Sequence, residues 1–425
     1  MKSRYRWYVA FVCFLFLLFH QVDKFLISPL VTPIMEEFGI NEAQMGAVSS
    51  LAIIVSALLY PLWGYLFDRY ARPKLLSLAS LIWGSTTWLS ALAPTFPLFM
   101  ASRASTGIDD SSYPGLFSLM SDYFEPGKRG RVYGILRMSG PLGFMLGTVL
   151  ATMLGQTLGW RNVFFITGGV GLVVAVLIFF TVRERPRGGC EPEMQGVECV
   201  DEHKINWATV RGLFRNRSFL LLMVQGFFGV FPWNVLTFWF FRYLETERGY
   251  SSGQAMITMI VAIVTLSAGY YLGGYLGDML FRRLKQGRII VSALGVLAGA
   301  VFLYAAMVIP TEQVALFMVL LGLAGITMSM PSPNVTALTF EITVPEVRST
   351  AQSIQKLVED GGSAISPFLA GLIATRYSLH LAILVICIAT WLLCAAFFAA
   401  MVRTVPHDID VLRQTMRERA AEAGG

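Results

Sequence analysis

Charge is what this 425-residue chain has least of: 14% of its residues are Asp, Glu, Lys or Arg, against 55% hydrophobic. A soluble domain carries roughly 25% charged residues. A chain this apolar would expose patches too large to stay dissolved. An ordinary soluble enzyme, a nucleic-acid binder and a disordered scaffold are thereby excluded. Cysteine is sparse and has no metal spacing. Cys13, Cys387 and Cys394 lie in apolar runs, and Cys190 and Cys199 stand nine apart in a polar stretch. The four histidines, His20, His203, His380 and His407, are too scattered for a zinc motif. No GxxxxGK[ST] occurs, which argues against direct ATP drive. No nucleophile–base constellation stands out either, so neither an enzyme nor a cofactor or metal is expected.

Long apolar runs take the place of all these. At roughly 20 residues per crossing, the length holds about twelve membrane spans. Lys2, Arg4 and Arg6 precede a run from Trp7 that resembles a signal peptide, but no small-x-small site follows. The run instead meets His20, Gln21, Asp23 and Lys24 and continues to Val31, which predicts a retained first span. Further segments fall at 43–66, 74–94, 97–123, 131–158 and 161–182, then at 219–244, 252–280, 288–309, 312–338, 350–375 and 379–403. The expected fold is an all-α membrane protein of twelve transmembrane helices in two six-helix bundles. They occupy 1–182 and 218–403, with a cytoplasmic linker at 183–217 and a cytoplasmic tail at 404–425.

The net charge of +6 follows topology rather than a nucleic-acid partner. If loops alternate sides, the side holding the N-terminus, the linker and the tail collects 25 of the 33 Lys and Arg residues. The other side has Arg161, Arg242, Arg248 and Arg376. The positive-inside rule then puts both termini in the cytoplasm. The outer loops carry no N-x-S/T site, which favours a cell (cytoplasmic) membrane over a glycosylated organelle.

The chain also repeats. GYLFDRYAR starts at Gly64 and GYLGDMLFR at Gly274, so Gly64, Asp68 and Arg72 match Gly274, Asp278 and Arg282 at an offset of 210. Pro126 and Arg129 echo Pro345 and Arg348 at an offset of 219. Two parallel halves of this kind enclose a midplane site and rock about it. Gly64 permits close helix approach. Asp68 is placed to meet the positive N-terminus of the eleventh span near Thr350, latching the cytoplasmic side. Arg69, Arg72 and Lys74 are expected at the anionic leaflet.

This signature resembles that of the major facilitator superfamily, as do the twelve spans, the central linker and the two-fold repeat. The first half is most similar to the Spinster-type lipid transporters, through VDKFLISPL (Val22–Leu30), RASTGIDD (Arg103–Asp110) and SDYFEPGKRGRVYGI (Ser121–Ile135). Spinster-type chains typically pair Asp with Arg in the first span, and Arg with a Glu seven residues later in the fourth. Here the positions hold Asp23 with Lys24, and Arg103 with Asp110. Lys24 lacks the guanidinium fork, and Asp110 is one methylene shorter than Glu. The anion–cation symporter branch shares much of the pattern. The resemblance implies a major facilitator fold and an amphiphilic substrate such as a lysophospholipid or sphingoid lipid.

The same residues stand out without it. A charge at mid-helix costs about 2.5–3.5 kcal/mol on insertion scales, so several are retained only with pairing or function. Arg103, Thr106 and Asp110 share one helix face, and Asp109 points roughly 100° away. At 1.5 Å per residue, Arg103, Asp23 and Lys24 lie roughly 10 Å below the outer surface, and Asp110 about 20 Å down. An Asp23–Arg103 pair is therefore geometrically open. A desolvated carboxylate near a movable Arg can load and release a proton, which makes Asp23, Asp110 and Arg103 the proton-coupling candidates; a static packing pair is the alternative.

In the eleventh span, Lys356, Glu359 and Asp360 form a second proton or cation site, or a salt bridge near a helix end. Arg137 either faces the cavity or snorkels to the surface. Gln225, Asn234 and Asn334 either contact substrate or bond between helices. The aromatic run Phe231–Phe241 reads as packing or an interfacial belt. Substrate-binding candidates are thus Lys24, Arg103, Thr106, Arg137, Asn234, Lys356, Glu359 and Asp360, and gate candidates Gly64, Asp68, Arg69, Arg72, Asp278 and Arg282. A monomer is expected, whose partners are a lipid or small-molecule substrate, protons and membrane lipids. A proton-coupled transporter by alternating access follows, for a lipid or a small organic anion such as a sugar acid. A non-pumping sensor or scramblase is the other class.

Overall fold

The computed structural model describes residues 3–40, 42–191, 207–363 and 365–424. Cys199, His203 and the middle of the linker lie outside the described residues. Among the described residues the chain is helical, without a strand. The first half comprises α1 (Ser3–Phe38), α2 (Glu42–Arg69), α3 (Arg72–Leu92), α4 (Phe96–Ser105), α5 (Gly107–Asp110), α6 (Tyr113–Ser121), α7 (Pro126–Arg137), α8 (Ser139–Leu158) and α9 (Trp160–Thr181). A short linker helix, α10 (Trp207–Leu213), leads to the second half. There follow α11 (Arg217–Thr246), α12 (Ser252–Phe281), α13 (Gly287–Val308), α14 (Val314–Ser329), α15 (Pro331–Glu341), α16 (Arg348–Ser363), α17 (Ser366–Arg376) and α18 (Leu379–Gly424).

Ten helical stretches among the described residues are long and apolar enough to cross a membrane. The other two of the twelve expected segments, α4–α6 and α16–α17, traverse the bundle as broken helices. Their breaks have local causes. Pro114 stands in the first turn of α6 and Pro367 in that of α17, and a proline has no N–H to give the carbonyl four residues upstream. Ser111 turns its hydroxyl back onto the Ile108 carbonyl at 2.9 Å, competing with the ladder. These breaks lie beside Asp109, Asp110 and Asp360. The tail is not a loose extension: α18 runs on past Pro406, and Arg419 reaches Glu346 at 2.7 Å.

Leu58, Val173, Phe180 and Val301 stay exposed, an apolar exterior that only lipid tails satisfy. One apolar core spans Val210–Ile409 in the second half; of two others, one lies in the first half and one joins first-half residues to Ala337 and Phe340. Glycines at helix contacts set the closest approaches. A Cβ on Gly147 would lie 2.6 Å from the Val22 carbonyl of α1, and one on Gly269 would lie 2.0 Å from the Ile326 carbonyl of α14. Between the halves, α2 packs on α16 and α12 on α7, related places in the repeat.

Backbone cannot move aside as a flexible side chain does. Gly269→Val is therefore expected to cost about 1–3 kcal/mol of overpacking, read as a lowered melting temperature in detergent. Gly253→Val, where a Cβ meets open space, should leave the melting temperature near that of the parent.

Candidate functional site

Two charge pairs cross from α1 to the broken fourth segment. Asp23 is buried and accepts hydrogen bonds from Thr167 Oγ1 at 2.7 Å and Thr87 Oγ1 at 3.0 Å, with Arg103 Nη1 at 3.5 Å. Arg103 in turn lies over the Phe164 ring, 5.2 Å from its centroid. The next residue of α1, Lys24, contacts Asp110 Oδ2 through Nζ at 2.7 Å. Lys24 keeps 42% of its side chain exposed and Asp110 14%, so this second pair is less buried than the first. The breaks at Thr106 and Ser111 separate the partners: Arg103 serves Asp23, whereas Asp110 serves Lys24. Thr106 donates its hydroxyl to the Arg103 carbonyl at 2.7 Å.

The second half presents a matching group. Lys356 Nζ lies 3.2 Å from Glu359 and 3.0 Å from Asp360, and Gln355 donates to Glu359 at 2.8 Å. Tyr60 of α2 donates to Asp360 Oδ2 at 3.3 Å, joining the halves. Arg137 neither snorkels nor hangs free. Its guanidinium donates to Thr336 at 3.1 Å and stacks over Phe117 at 4.6 Å, because it lies where α7 meets α15. The lining thus carries Lys24, Arg137 and Lys356 against Asp110, Glu359 and Asp360. Beside Glu359, the α11 rings Phe227, Phe228 and Phe231 stand with centroids 5.1–6.3 Å apart. Asn234 is partly buried on the same helix. Asn334 is tied to the Gly273 carbonyl at 2.8 Å, an interhelical bond rather than a lining group.

The basic end is closed by a device built twice. Asp68 accepts from the Ser349 and Thr350 backbone N–H groups at 3.0 and 2.6 Å. Asp278 accepts from those of Gly130 and Arg131 at 3.0 and 2.7 Å. Each carboxylate meets the N-terminal part of a helix from the other half, where backbone N–H groups and the dipole favour negative charge. Gly64 and Gly274 allow the approach: a Cβ there would lie 2.5 Å from Ser353 Oγ and 2.0 Å from the Gly130 carbonyl.

One gate assignment needs correction. Arg72 does not sit at the leaflet; it is fully buried, with Asp122 and Glu184 each at 2.5 Å. Carboxylates on the fourth segment and the linker outcompete lipid for it. Arg282 remains exposed on the Gly127 carbonyl at 3.1 Å. Arg288, at the start of α13, lies 2.9 Å from Asp278. Arg69 is exposed against Tyr65 at 3.1 Å.

Sequence reasoning did not anticipate the centre of this end. Arg129 and Arg348, the repeat partners, both reach Glu191 Oε1 of the linker, at 2.6 and 2.5 Å. Each also caps a carbonyl eight residues upstream, Ser121 and Phe340. Burial pushes the Glu191 carboxyl up, and the Arg129 and Arg348 guanidiniums outweigh it, holding it down at about 2. The repeated arginines were visible as an echo; nothing marked the linker acid as their partner. His20 and Asp109 were also passed over, and they are bonded to each other in full burial.

Two helical bundles, joined by a linker, with paired charges at their centre and twin latches at one end, define a membrane transporter fold. The Major Facilitator Superfamily profile matches residues 13–312 and 285–421, and the chain belongs to that superfamily. It is similar to human protein spinster homolog 1, at 29% identity over 87% of this chain and 72% of that one. The crystal structure of a bacterial homologue of the human lysosomal transporter Spinster, inward-facing and unoccupied, matches with TM-score 0.66 at 20% identity, covering 96% of this chain and 99% of that one. The proton:xylose symporter XylE bound to 6-bromo-6-deoxy-D-glucose matches at TM-score 0.76 and 18% identity, covering 97% and 100%.

Removing one partner of a buried ion pair costs about 3–5 kcal/mol. Glu191→Gln should therefore loosen the basic end, seen as a longer distance between spin labels at the exposed positions Tyr70 and Leu284. Its folded-state pKa is depressed, so its contribution is complete above the ordinary value of 4.5 and fades only as pH falls through about 2. The change should accordingly be equal at pH 5.5 and 7.5; one confined to pH 5.5 would count against the assignment.

Proposed function

We propose that this chain is a proton-coupled secondary transporter working by alternating access, with an amphiphilic lipid such as a lysophospholipid as substrate. The observation that carries the substrate class is the lining itself. Three cationic and three anionic side chains face each other beside the Phe227, Phe228 and Phe231 rings. A purely anionic sugar acid would favour a lining of one sign, whereas a zwitterionic headgroup with an acyl chain uses both signs and the apolar wall. Similarity to spinster homologues supports the same class.

Asp23, Arg103 and Asp110 are the proton-coupling group of this reading. Substrate competing for Lys24 releases Asp110, and rearrangement of Arg103 changes the field at Asp23. With the basic end cytoplasmic, as the distribution of Lys and Arg requires, the twin latches close the cytoplasmic side and Lys24 is reached from outside. A potential of 100 mV supplies about 2.3 kcal/mol per charge and one pH unit about 1.4. Together these sustain roughly a 500-fold gradient per proton. The protein is placed in the cell membrane, as a monomer, with both termini cytoplasmic.

The test is purified protein in liposomes under an imposed pH gradient, with fluorescent lysophosphatidylethanolamine and a sugar acid offered separately. Gradient-driven accumulation of the lysolipid is expected, and Asp110→Asn should reduce it at least tenfold. Accumulation of the sugar acid alone would favour the organic-anion reading. Lysolipid movement indifferent to the gradient would indicate a scramblase, and no flux of either would defeat transport.

A further inference from the structure

His20 of α1 and Asp109 of α5 are buried against each other inside the first bundle, through Nε2 and Oδ2. The second imidazole nitrogen, Nδ1, lies 2.5 Å from the Tyr113 hydroxyl. Tyr113 is partly exposed and also accepts from Gln21 Nε2 at 3.2 Å. Three groups therefore form a line from the bundle interior to a fully buried carboxylate. Both ring nitrogens are engaged, which lets imidazole take a proton on one and yield it from the other.

Asp23 offers a contrast. Its oxygens receive two threonine hydroxyls and a guanidinium. Asp109 has no such shell: its Oδ1 is buried without a hydrogen-bond partner. A buried carboxylate satisfied on one oxygen only is costly as an anion, and taking up a proton relieves that cost. Behind the ring, Trp83 stands edge-on at 5.4 Å.

From this geometry we propose that His20, Asp109 and Tyr113 form a proton relay, with the His20–Asp109 pair as the carrier that is loaded and emptied during transport. A hydronium reaching Tyr113 passes its proton by way of the hydroxyl to Nδ1, and Nε2–H yields one to Asp109 Oδ2, leaving a neutral carboxylic acid and a neutral imidazole. Emptying reverses the path. The charges facing the pair are Asp110 and Lys24, with Tyr60 of α2 beyond Tyr113 and Lys356 and Asp360 beyond Asp110. Lys24 and Asp110 thereby link substrate to carrier: a headgroup that draws Lys24 away leaves Asp110 uncompensated and changes the field at His20. The relay rests on the proton-coupled reading above and names its carrier.

Two measurements separate the relay from that reading. Ring-15N-histidine NMR of the full chain in nanodiscs follows His20, assigned by loss of its signal in His20→Asn. The His380 and His407 signals serve as the check that this variant folds. The His20 ring signals are expected to follow loading between pH 5 and 9, as the ring proton moves from Nε2 to Nδ1, with a midpoint displaced by about one pH unit or more in Asp109→Asn. A flat His20 signal over that range, or an unmoved midpoint, overturns the relay without recourse to substrate. In liposomes, His20→Asn should lose at least tenfold of gradient-driven lysophosphatidylethanolamine uptake while keeping exchange. Full gradient-driven uptake in that variant also overturns the relay. Absence of gradient-driven uptake in the parent protein would defeat the coupled reading itself, and with it the carrier role.

Discussion

Glu191 contributes one carboxylate oxygen to two guanidiniums that the repeat relates, Arg129 and Arg348. In a low-dielectric interior neither arginine is tolerated alone, and neither can leave without stranding a charge. The linker acid therefore ties the halves together at the basic end, and the rest of the architecture hangs on that tie. Around it stand Asp122 and Glu341, which occupy equivalent places and reach Arg72, Arg348, Arg129 and Arg288. Above it stand the two aspartates on backbone N–H groups. Most of these contacts exist in two copies because the fold does. Glu191 comes from a segment that belongs to neither copy.

This arrangement makes the closed end strong yet reversible. Ionic contacts to backbone N–H groups and guanidiniums hold only while aligned; a rotation of one half breaks them together, and water can solvate each group once exposed. An apolar seal of equal area would not offer exposed polar groups the same rehydration. Nearer the middle the pairing is looser. Lys24 with Asp110, and Lys356 with Asp360, stay partly exposed, and Tyr60 spans between the halves. The centre thus sets these partly exposed pairs beside the buried Asp23–Arg103 and His20–Asp109 pairs, whereas the charges around Glu191 at the basic end are buried throughout.

Much of this was legible in the sequence, because hydropathy and a repeated motif are local signals. The spans followed from apolar length, and the placement of Asp68 near Thr350 from a helix start on the other half. Asp23 and Arg103 were matched by depth alone. What failed was whatever depended on helix breaks or on distant loops. The i, i+7 face joining Arg103 to Asp110 assumed an unbroken helix, and the turns at Thr106 and Ser111 redirect Asp110 to Lys24. The same turns bring Asp109, set aside as pointing elsewhere, onto His20. His20 was weighed only as a metal ligand; its place one turn before Asp23 in an apolar span was the signal to use. The pairing of Arg288 with Asp278, and of Glu191 with two arginines, are choices of tertiary packing that spacing does not encode.

The central claim is that two halves expose one charged centre to opposite sides in turn, with the basic end shut in the form described here. Chemical access to position 24 tests it most directly. A Lys24→Cys variant, with the other cysteines replaced, would be challenged in membrane vesicles by an impermeant thiol reagent from each side. The account predicts reaction from the side opposite the basic end, shifting toward the basic end when Asp68→Asn and Asp278→Asn are added. Equal reaction from both sides regardless of the latches, or protection from both, would contradict it.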